Sequence, residues 1–381
     1  MIKTVLAGSE HVGGINAILP VINFLNVQKN IEVIIMGNSD SLKVLRAQDL
    51  PYVTPKKYSH NGESSILLME HVIQIENPNL ILTGTATQDT NLEIALDQAL
   101  TVAGKEKKVP TLAVLDAHLN YVERFSDIHF HQDFAFMPNK IAIMDEIAKK
   151  EMLKLKFNAR NLAVTGNPYL DNLGKIKSNF TDEDILNVRN DFGFVTTQPM
   201  ITYISDFLTK YYGVEGSGYP DLGYNEKTVF RDILEAVTEI EKPIQVLAKL
   251  HRAQPKDALL DIVDDFKADV NIKVGFQEYD AKLAVLASDL TLGCFTSVLN
   301  EVALFDKLGI SIIPGLGKDK LITNKLGVNP VVSDKKYLAS AISNGLFNTA
   351  YQDTWRAARR NFRSDGKATQ NVVELVYSMM R

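Results

Sequence analysis

Gly293-Cys-Phe-Thr-Ser-Val-Leu-Asn-Glu301-Val-Ala-Leu-Phe-Asp-Lys-Leu-Gly309-Ile-Ser-Ile-Ile-Pro314-Gly315, preceded by the apolar run Leu290-Thr-Leu292, decides how the rest of the chain is read. It reads as a strand end, a turn of small residues, a helix with one acid in its first turns, and a second apolar strand. The hydroxyls of Thr296 and Ser297 and the free amides beside them suit a phosphate, because a helix N-terminus concentrates unsatisfied donors and positive dipole. Glu301 lies further in, where a carboxylate suits the two hydroxyls of a ribose. The plainer reading is that Thr296 or Ser297 caps the helix and Glu301 is a solvated side chain.

Outward from this stretch, short apolar runs alternate with longer amphipathic segments. Thr4-Val-Leu-Ala, Ile31 to Met36, Leu80 to Thr83, Thr111 to Leu115, Lys140 to Met144 and Leu162 to Thr165 read as strands. Ile15 to Val27, Ser65 to Glu76, Asn91 to Gly104 and Asp145 to about Phe157 read as the helices between them. A fresh cycle follows: Met200 to Ser205, a helix from Glu226 to Ile240, Ile244 to Lys249, a helix from Asp257 to Phe266, Val270 to Val274, Ala281 to Ala287, Leu290 to Leu292 and Ile310 to Ile313. Strand and helix in alternation predict parallel sheets covered on both faces. The expected fold class is α/β, two doubly wound Rossmann-like domains facing a cleft, with ligands beyond the carboxyl ends of the strands.

The expected domains are residues 1–175 and 176–354, with a boundary in the polar stretch near 168–185. Residues 355–381 form a closing helical segment that packs back across the junction. The 381 residues suffice for two cores, and a net charge of -5 with interspersed signs gives no footprint for nucleic acid. Cys294 is the only cysteine, which excludes an intrachain disulfide and suits a reducing cytosol. No apolar run reaches membrane-spanning length, so a cytoplasmic chain is expected, with peripheral attachment at the inner face of a membrane left open.

Several strand ends carry chemistry. Gly8-Ser-Glu-His11-Val-Gly13-Gly14 lets backbone approach a ligand, with His11 placed to face the cleft, although the spacing is not the dinucleotide fingerprint. Thr83-Gly-Thr85-Ala-Thr87-Gln-Asp89-Thr90 suits a polyhydroxylated ligand. Asp116 follows the strand Thr111 to Leu115, where a general base would sit; His118 shares or orients that task, and Arg124 counters a phosphate. A buried polar network fixing the loop is the alternative. Lys249-Leu-His251-Arg252 places three potential cations at one strand end, suited to a diphosphate leaving group. His129-Phe-His131-Gln-Asp133, read as extended, has no second group at metal-ligand spacing and is taken as surface histidines. Asp145-Glu146 reads as two acids favouring a helix N-terminus.

Together these residues resemble the GT-B superfamily: bacterial surface-polysaccharide glycosyltransferase-like proteins, related to UDP-N-acetylglucosamine 2-epimerases and CDP-glycerol glycerophosphotransferases. The likeness rests on Thr83-Gly-Thr85, Val114-Leu-Asp116 through Arg124-Phe125, Ile143-Met-Asp145-Glu146, Val164-Thr-Gly-Asn-Pro168, Lys249-Leu-His251 and Thr296-Ser297 through Glu301. The resemblance implies a nucleotide on the second domain, with Glu301 on ribose and Thr296 and Ser297 near the diphosphate, and an acceptor on the first. It implies no cofactor and no metal, the donor being a nucleotide-sugar, UDP-linked, and the partner a hydroxyl acceptor. Gly84-Thr85-Ala86 stands where the epimerase pattern has Gly-Asp-Thr, leaving that carboxylate set incomplete. Sugar transfer in surface glycan synthesis is therefore the expected activity, with 2-epimerisation or non-catalytic nucleotide-sugar binding as alternatives.

Overall fold

The computed structural model describes residues 2–59, 65–88, 94–214, 220–275, 280–316, 319, 321–362 and 365–381. Asp89, Thr90 and much of the Gly213 to Gly223 loop lie outside them. The chain divides into two units, residues 1–172 with 364–381, and residues 173–363.

The first unit contains strands β1 (Lys3–Ser9), β2 (Ile31–Gly37), β3 (Leu80–Thr83), β4 (Thr111–Val114), β5 (Lys140–Ile143) and β6 (Leu162–Val164). They form one sheet in the order β2-β1-β3-β4-β5-β6, every pair parallel. Alternate residues serve opposite faces. Val5 and Ala7 of β1 and Leu112 and Val114 of β4 pack with the helix Val12–Asn26 on one side. Leu6 faces the helices Ile66–Glu76 and Leu96–Glu106, while Ala113 and Leu115 face the helix Glu146–Lys154. Burial on both faces explains why these strands read as unbroken apolar runs.

The second unit contains β7 (Met200–Ile204), β8 (Gln245–Lys249), β9 (Asn271–Gly275), β10 (Leu290–Gly293), β11 (Gly309–Ile312) and β12 (Val331–Val332). Its order, β12-β11-β10-β7-β8-β9, is also wholly parallel. Read from the other edge this is the dinucleotide-fold order 3-2-1-4-5-6, which reverses between its first and fourth strands. Ile201, Tyr203, Val246, Ala248, Leu290 and Leu292 pack with the helices Glu226–Glu239 and Leu338–Phe347, and Met200 and Leu247 with the helix Ala281–Ala287. Among the described residues no helix is long and apolar enough to cross a membrane.

Two stretches differ from expectation. The polar boundary at 168–185 is mostly helical, as Pro168–Ser178 and Asp182–Asp191. Its second helix opens on a Thr181 cap that accepts from the Asp184 amide, followed by three acids in the first turn, so local capping outweighs the absence of an apolar stripe. The closing segment 355–381 is shared: Trp355 packs on the second unit's core, whereas Val372, Val373 and Val376 of the helix Ala368–Met379 complete the first unit's core.

The helix Val12–Asn26 starts against the end of β3 without intervening side chains. A Cβ on Gly84 would stand 2.5 Å from the Gly14 Cα, and one on Gly14 would stand 2.3 Å from the Ser9 Oγ. Gly84→Ala is therefore expected to destabilise the protein by about 1–3 kcal/mol through forced backbone separation. Gly174→Ala is the control: nothing lies within 4 Å of its Cβ position, and it sits in a helix where alanine gains roughly 0.5–1 kcal/mol. Thermal or urea melts of the two variants check the opposite signs.

Candidate functional site

The carboxyl edge of the first sheet gathers most of the sequence-predicted polar residues. Thr85 and Arg124 are buried, and Asp116 is half-buried between them. Arg124 Nη1 pairs with Asp116 Oδ1, and donates to the Thr85 carbonyl at 2.6 Å and to Thr85 Oγ1 at 2.8 Å. Its Nε donates to the Leu119 carbonyl at 3.0 Å. Thr85 Oγ1 donates to Asp116 Oδ1 at 3.1 Å. The arginine expected to counter a phosphate is thus built into the loop as a structural cation, the buried-network alternative.

Asp116 Oδ1 is taken twice, so its proton-accepting capacity lies at Oδ2. A Cβ on Gly13 would meet that oxygen at 2.1 Å, so any side chain here would displace the carboxylate. The carboxylate consequently lies over the first turn of the helix Val12–Asn26, where partial positive charge favours an anion. His11 holds that helix's N-cap position, half-buried, and its side chain makes no capping bond. Beneath it, fully buried Asp97 accepts from Ser9 Oγ and from the Glu10 amide, each at 2.9 Å. Burial raises the Asp97 carboxyl above its ordinary range, against the pull of those donors.

His118 Nε2 lies 2.7 Å from Asp145 Oδ2, and Asp145 Oδ1 accepts from the Ala148 amide at 2.7 Å. Burial pushes the Asp145 carboxyl up, but the His118 hydrogen bond and charge and the Ala148 and Ile147 amides outweigh it and hold it below its ordinary value. Asp145, read from sequence as a helix-favouring acid, is both a cap and the group that orients His118. The His129 to Asp133 segment is a tight turn rather than an extended strand, with a bridge between Asp127 and Gln132 and His131 at φ 53°. Among the described residues no three His, Cys, Asp or Glu side chains are grouped to hold a metal.

At the carboxyl edge of the second sheet, Thr296 is half-buried and Ser297 exposed, before the helix Val298–Leu304. Ser297 occupies the N-cap position without a side-chain capping bond, so its hydroxyl is not consumed as the plainer reading requires. Thr296 Oγ1 accepts a long bond from the Val298 amide, 3.4 Å. Glu301 is half-buried in the helix's first turn. On β8's end, His251 Nδ1 accepts from the Ala253 amide at 3.2 Å, which leaves Nε2 to carry the proton of the neutral ring. Burial, then Arg252, Lys210 and Lys249, lower the His251 pKa. Of the three expected cations, His251 is therefore a neutral donor and Lys249 is buried on the Leu250 carbonyl at 3.0 Å, while Arg252 is exposed.

Asp206 was not singled out from sequence, although it stands one residue beyond the strand Met200 to Ser205, the position that drew attention to Asp116. It lies at the point where the sheet order reverses, and its Oδ2 accepts from the Phe295 amide at 3.3 Å. Burial raises its pKa to about 7; the Phe295 and Cys294 amides oppose this and Glu226 adds to it.

No family model matches this chain, and no curated protein matches it. Solved structures match it over its whole length. UDP-GlcNAc 2-epimerase from Neisseria meningitidis bound to UDP-GlcNAc aligns with TM-score 0.71 at 14% identity, covering 99% of this chain and 100% of that one. The chain has the GT-B fold. UDP-GlcNAc 2-epimerase from Methanocaldococcus jannaschii aligns with TM-score 0.69 at 18% identity, over 99% and 100% of the two chains. A glycosyltransferase from Rickettsia africae shares the GT-B architecture with TM-score 0.64 at 14% identity, over 100% and 99%.

Asp206 makes the stability of this GT-B chain pH-dependent in a direction opposite to that of an ion-paired acid. Its folded pKa of about 7 exceeds the unfolded value near 3.8, so between these values the folded state binds more protons. Its contribution is full below pH ~4 and is lost as pH rises through about 7, with a slope of at most ~1.4 kcal/mol per unit. Urea melts from pH 4 to 8 should show a flatter profile for Asp206→Asn than for wild type; parallel profiles would exclude this titration.

Proposed function

We propose that this GT-B chain is a nucleotide-sugar enzyme, and specifically a glycosyltransferase that moves a sugar from a UDP-linked donor to a hydroxyl acceptor in glycan synthesis in the cytoplasm. The observation that carries the reading is the second unit's carboxyl edge. The Thr296-Ser297 turn follows β10 at the reversal of a 3-2-1-4-5-6 parallel sheet, the crevice in which such sheets hold nucleotides. In this proposal Thr296 and Ser297 donate to the diphosphate and Glu301 accepts from the ribose hydroxyls. Neutral His251 offers its Nε2 proton to a phosphate oxygen, and exposed Arg252 supplies the positive charge. Transfer is metal-independent, charge on the leaving diphosphate being met by these donors.

The first unit supplies the acceptor side. Asp116 is the proposed base, acting through Oδ2, while Thr85 and Arg124 fix its orientation from Oδ1. Gly13 and Gly14 leave room beside it. His118, oriented by Asp145, and His11 are the next groups able to take the acceptor proton. A second reading, sugar-nucleotide 2-epimerisation, is favoured by the naming of several structural neighbours as 2-epimerases over nearly their full length. The two readings part on the need for an acceptor: incubation with UDP-GlcNAc alone, followed by NMR, yields a C2 epimer only in the second.

Glu301→Ala is expected to weaken UDP binding by about 1–3 kcal/mol, the range for hydrogen bonds to a charged group, with the fold intact. Calorimetry giving wild-type affinity would remove Glu301 from the site. Gly13→Ala is expected to lower turnover about 100-fold by displacing the Asp116 carboxylate while UDP affinity stays near wild type. Unchanged turnover in a folded Gly13→Ala protein would sink Asp116 as the base. Activity should also survive EDTA; loss that magnesium or manganese restores would overturn metal independence.

A further inference from the structure

We propose that the second unit has a further ligand site, on the opposite edge of its sheet from the proposed nucleotide site, for a small phosphorylated anion. A cavity of about 490 Å³ opens there, lined by Arg189, Asp289, Asp306, Lys307, Arg356 and Arg359 among others. Pro199, Asp289 and Leu308 place it at the amino ends of β7, β10 and β11, since each residue directly precedes its strand. The motifs read from the sequence all sit at carboxyl ends, and none of them explains this cavity.

The charge balance carries the assignment. Arg189 Nη2 pairs with Asp289 Oδ2 at 2.8 Å, and its Nε donates to the Ala287 carbonyl at 2.8 Å. Asp306 is met by Arg359 at 3.2 Å and by Lys177 at 3.3 Å. Arg356 pairs with Asp353 across an exposed helix turn. Around the cavity five cations, Arg189, Lys177, Lys307, Arg356 and Arg359, thus face four carboxylates, Asp182, Asp289, Asp306 and Asp353, and both wall carboxylates are already neutralised by their own partners. Among the described residues Lys307 has no carboxylate within salt-bridge distance: its ammonium donates to the Ser288 carbonyl at 3.0 Å, which uses one of three N–H groups.

A charge held in this way asks for an anion. Burial chiefly, with Arg189 and Lys177 nearby, lowers the Lys307 pKa despite the pull of Asp289 and Asp182, and an anion bound beside the ammonium would offset that cost. A phosphate group offsets the local excess of one and supplies acceptors to Lys307 and Arg356. The volume exceeds that of inorganic phosphate, so a phosphate monoester on a small polar body fits the chemistry, with Thr197 and Gln198 on the wall as neutral polar partners.

The test is calorimetric titration of the full chain with inorganic phosphate and with glucose 6-phosphate, at constant ionic strength and with saturating UDP present. Saturable binding of the monoester to one site is expected. Lys307→Met, which keeps the stem and removes the charge, should weaken it at least tenfold, and Lys307→Arg should retain it. Arg356→Gln, at an exposed side chain outside the core, should weaken it about threefold and serves if Lys307→Met does not fold. Arg252→Ala should leave it unchanged. The proposal falls if neither anion binds saturably, if Lys307→Met and Arg356→Gln bind as wild type, or if Arg252→Ala alone abolishes binding, which would place the anion at the carboxyl edge.

Discussion

Backbone-to-backbone contact between the first turn of the helix Val12–Asn26 and the end of β3 sets the carboxyl edge of the first unit. Because no side chain separates them, the helix's positive end is brought against the β3 and β4 loops, and Asp116 lies over it. The same contact fixes the β1 end, where Ser9 and the Glu10 amide converge on Asp97. A single methyl group at Gly14 or Gly84 would pry this arrangement apart, and with it the placement of Asp116 and His11. Close packing in protein interiors leaves little slack to absorb such a shift.

Asp116 and Asp145 of the first unit and Asp206 of the second are partnered differently. In the first, Asp116 is paired with a buried guanidinium and Asp145 is hydrogen-bonded to His118. In the second, Asp206 has only backbone amides and burial, and it holds its proton far above the ordinary carboxylate range. The second edge therefore presents neutral donors, His251 among them, with Arg252 as its exposed charge. Such a surface can hold a phosphate without the desolvation cost of several packed cations.

The strands were legible because parallel sheets buried on both faces require continuous apolar runs, and β1, β4, β7 and β10 each show one. The helix Asp182–Asp191 was harder to read: its start is fixed by a cap and local charge rather than by a wide apolar stripe, and Thr181 was the available signal. At the site, hydroxyls and acids after strands were found by position alone. What position does not give is partnership. Arg124 looks the same in sequence whether it meets a ligand or the Thr85 carbonyl, and His251 the same whether its Nδ1 carries a proton or accepts one. Asp206 obeyed the strand-end rule and needed only its consistent application.

The first unit is assembled from residues 1–172 and 364–381, with the whole second unit intervening in the chain. During synthesis its sheet is made early, yet Val372, Val373 and Val376, which seal one face of that sheet, arrive only after about 190 further residues. At about 5–20 residues per second this leaves an apolar surface uncovered for roughly ten seconds or more. The second unit, continuous in sequence, can close without waiting. A ribosome-bound chain therefore finishes its middle before its beginning, and the interval is one in which a holding chaperone has a defined surface to protect.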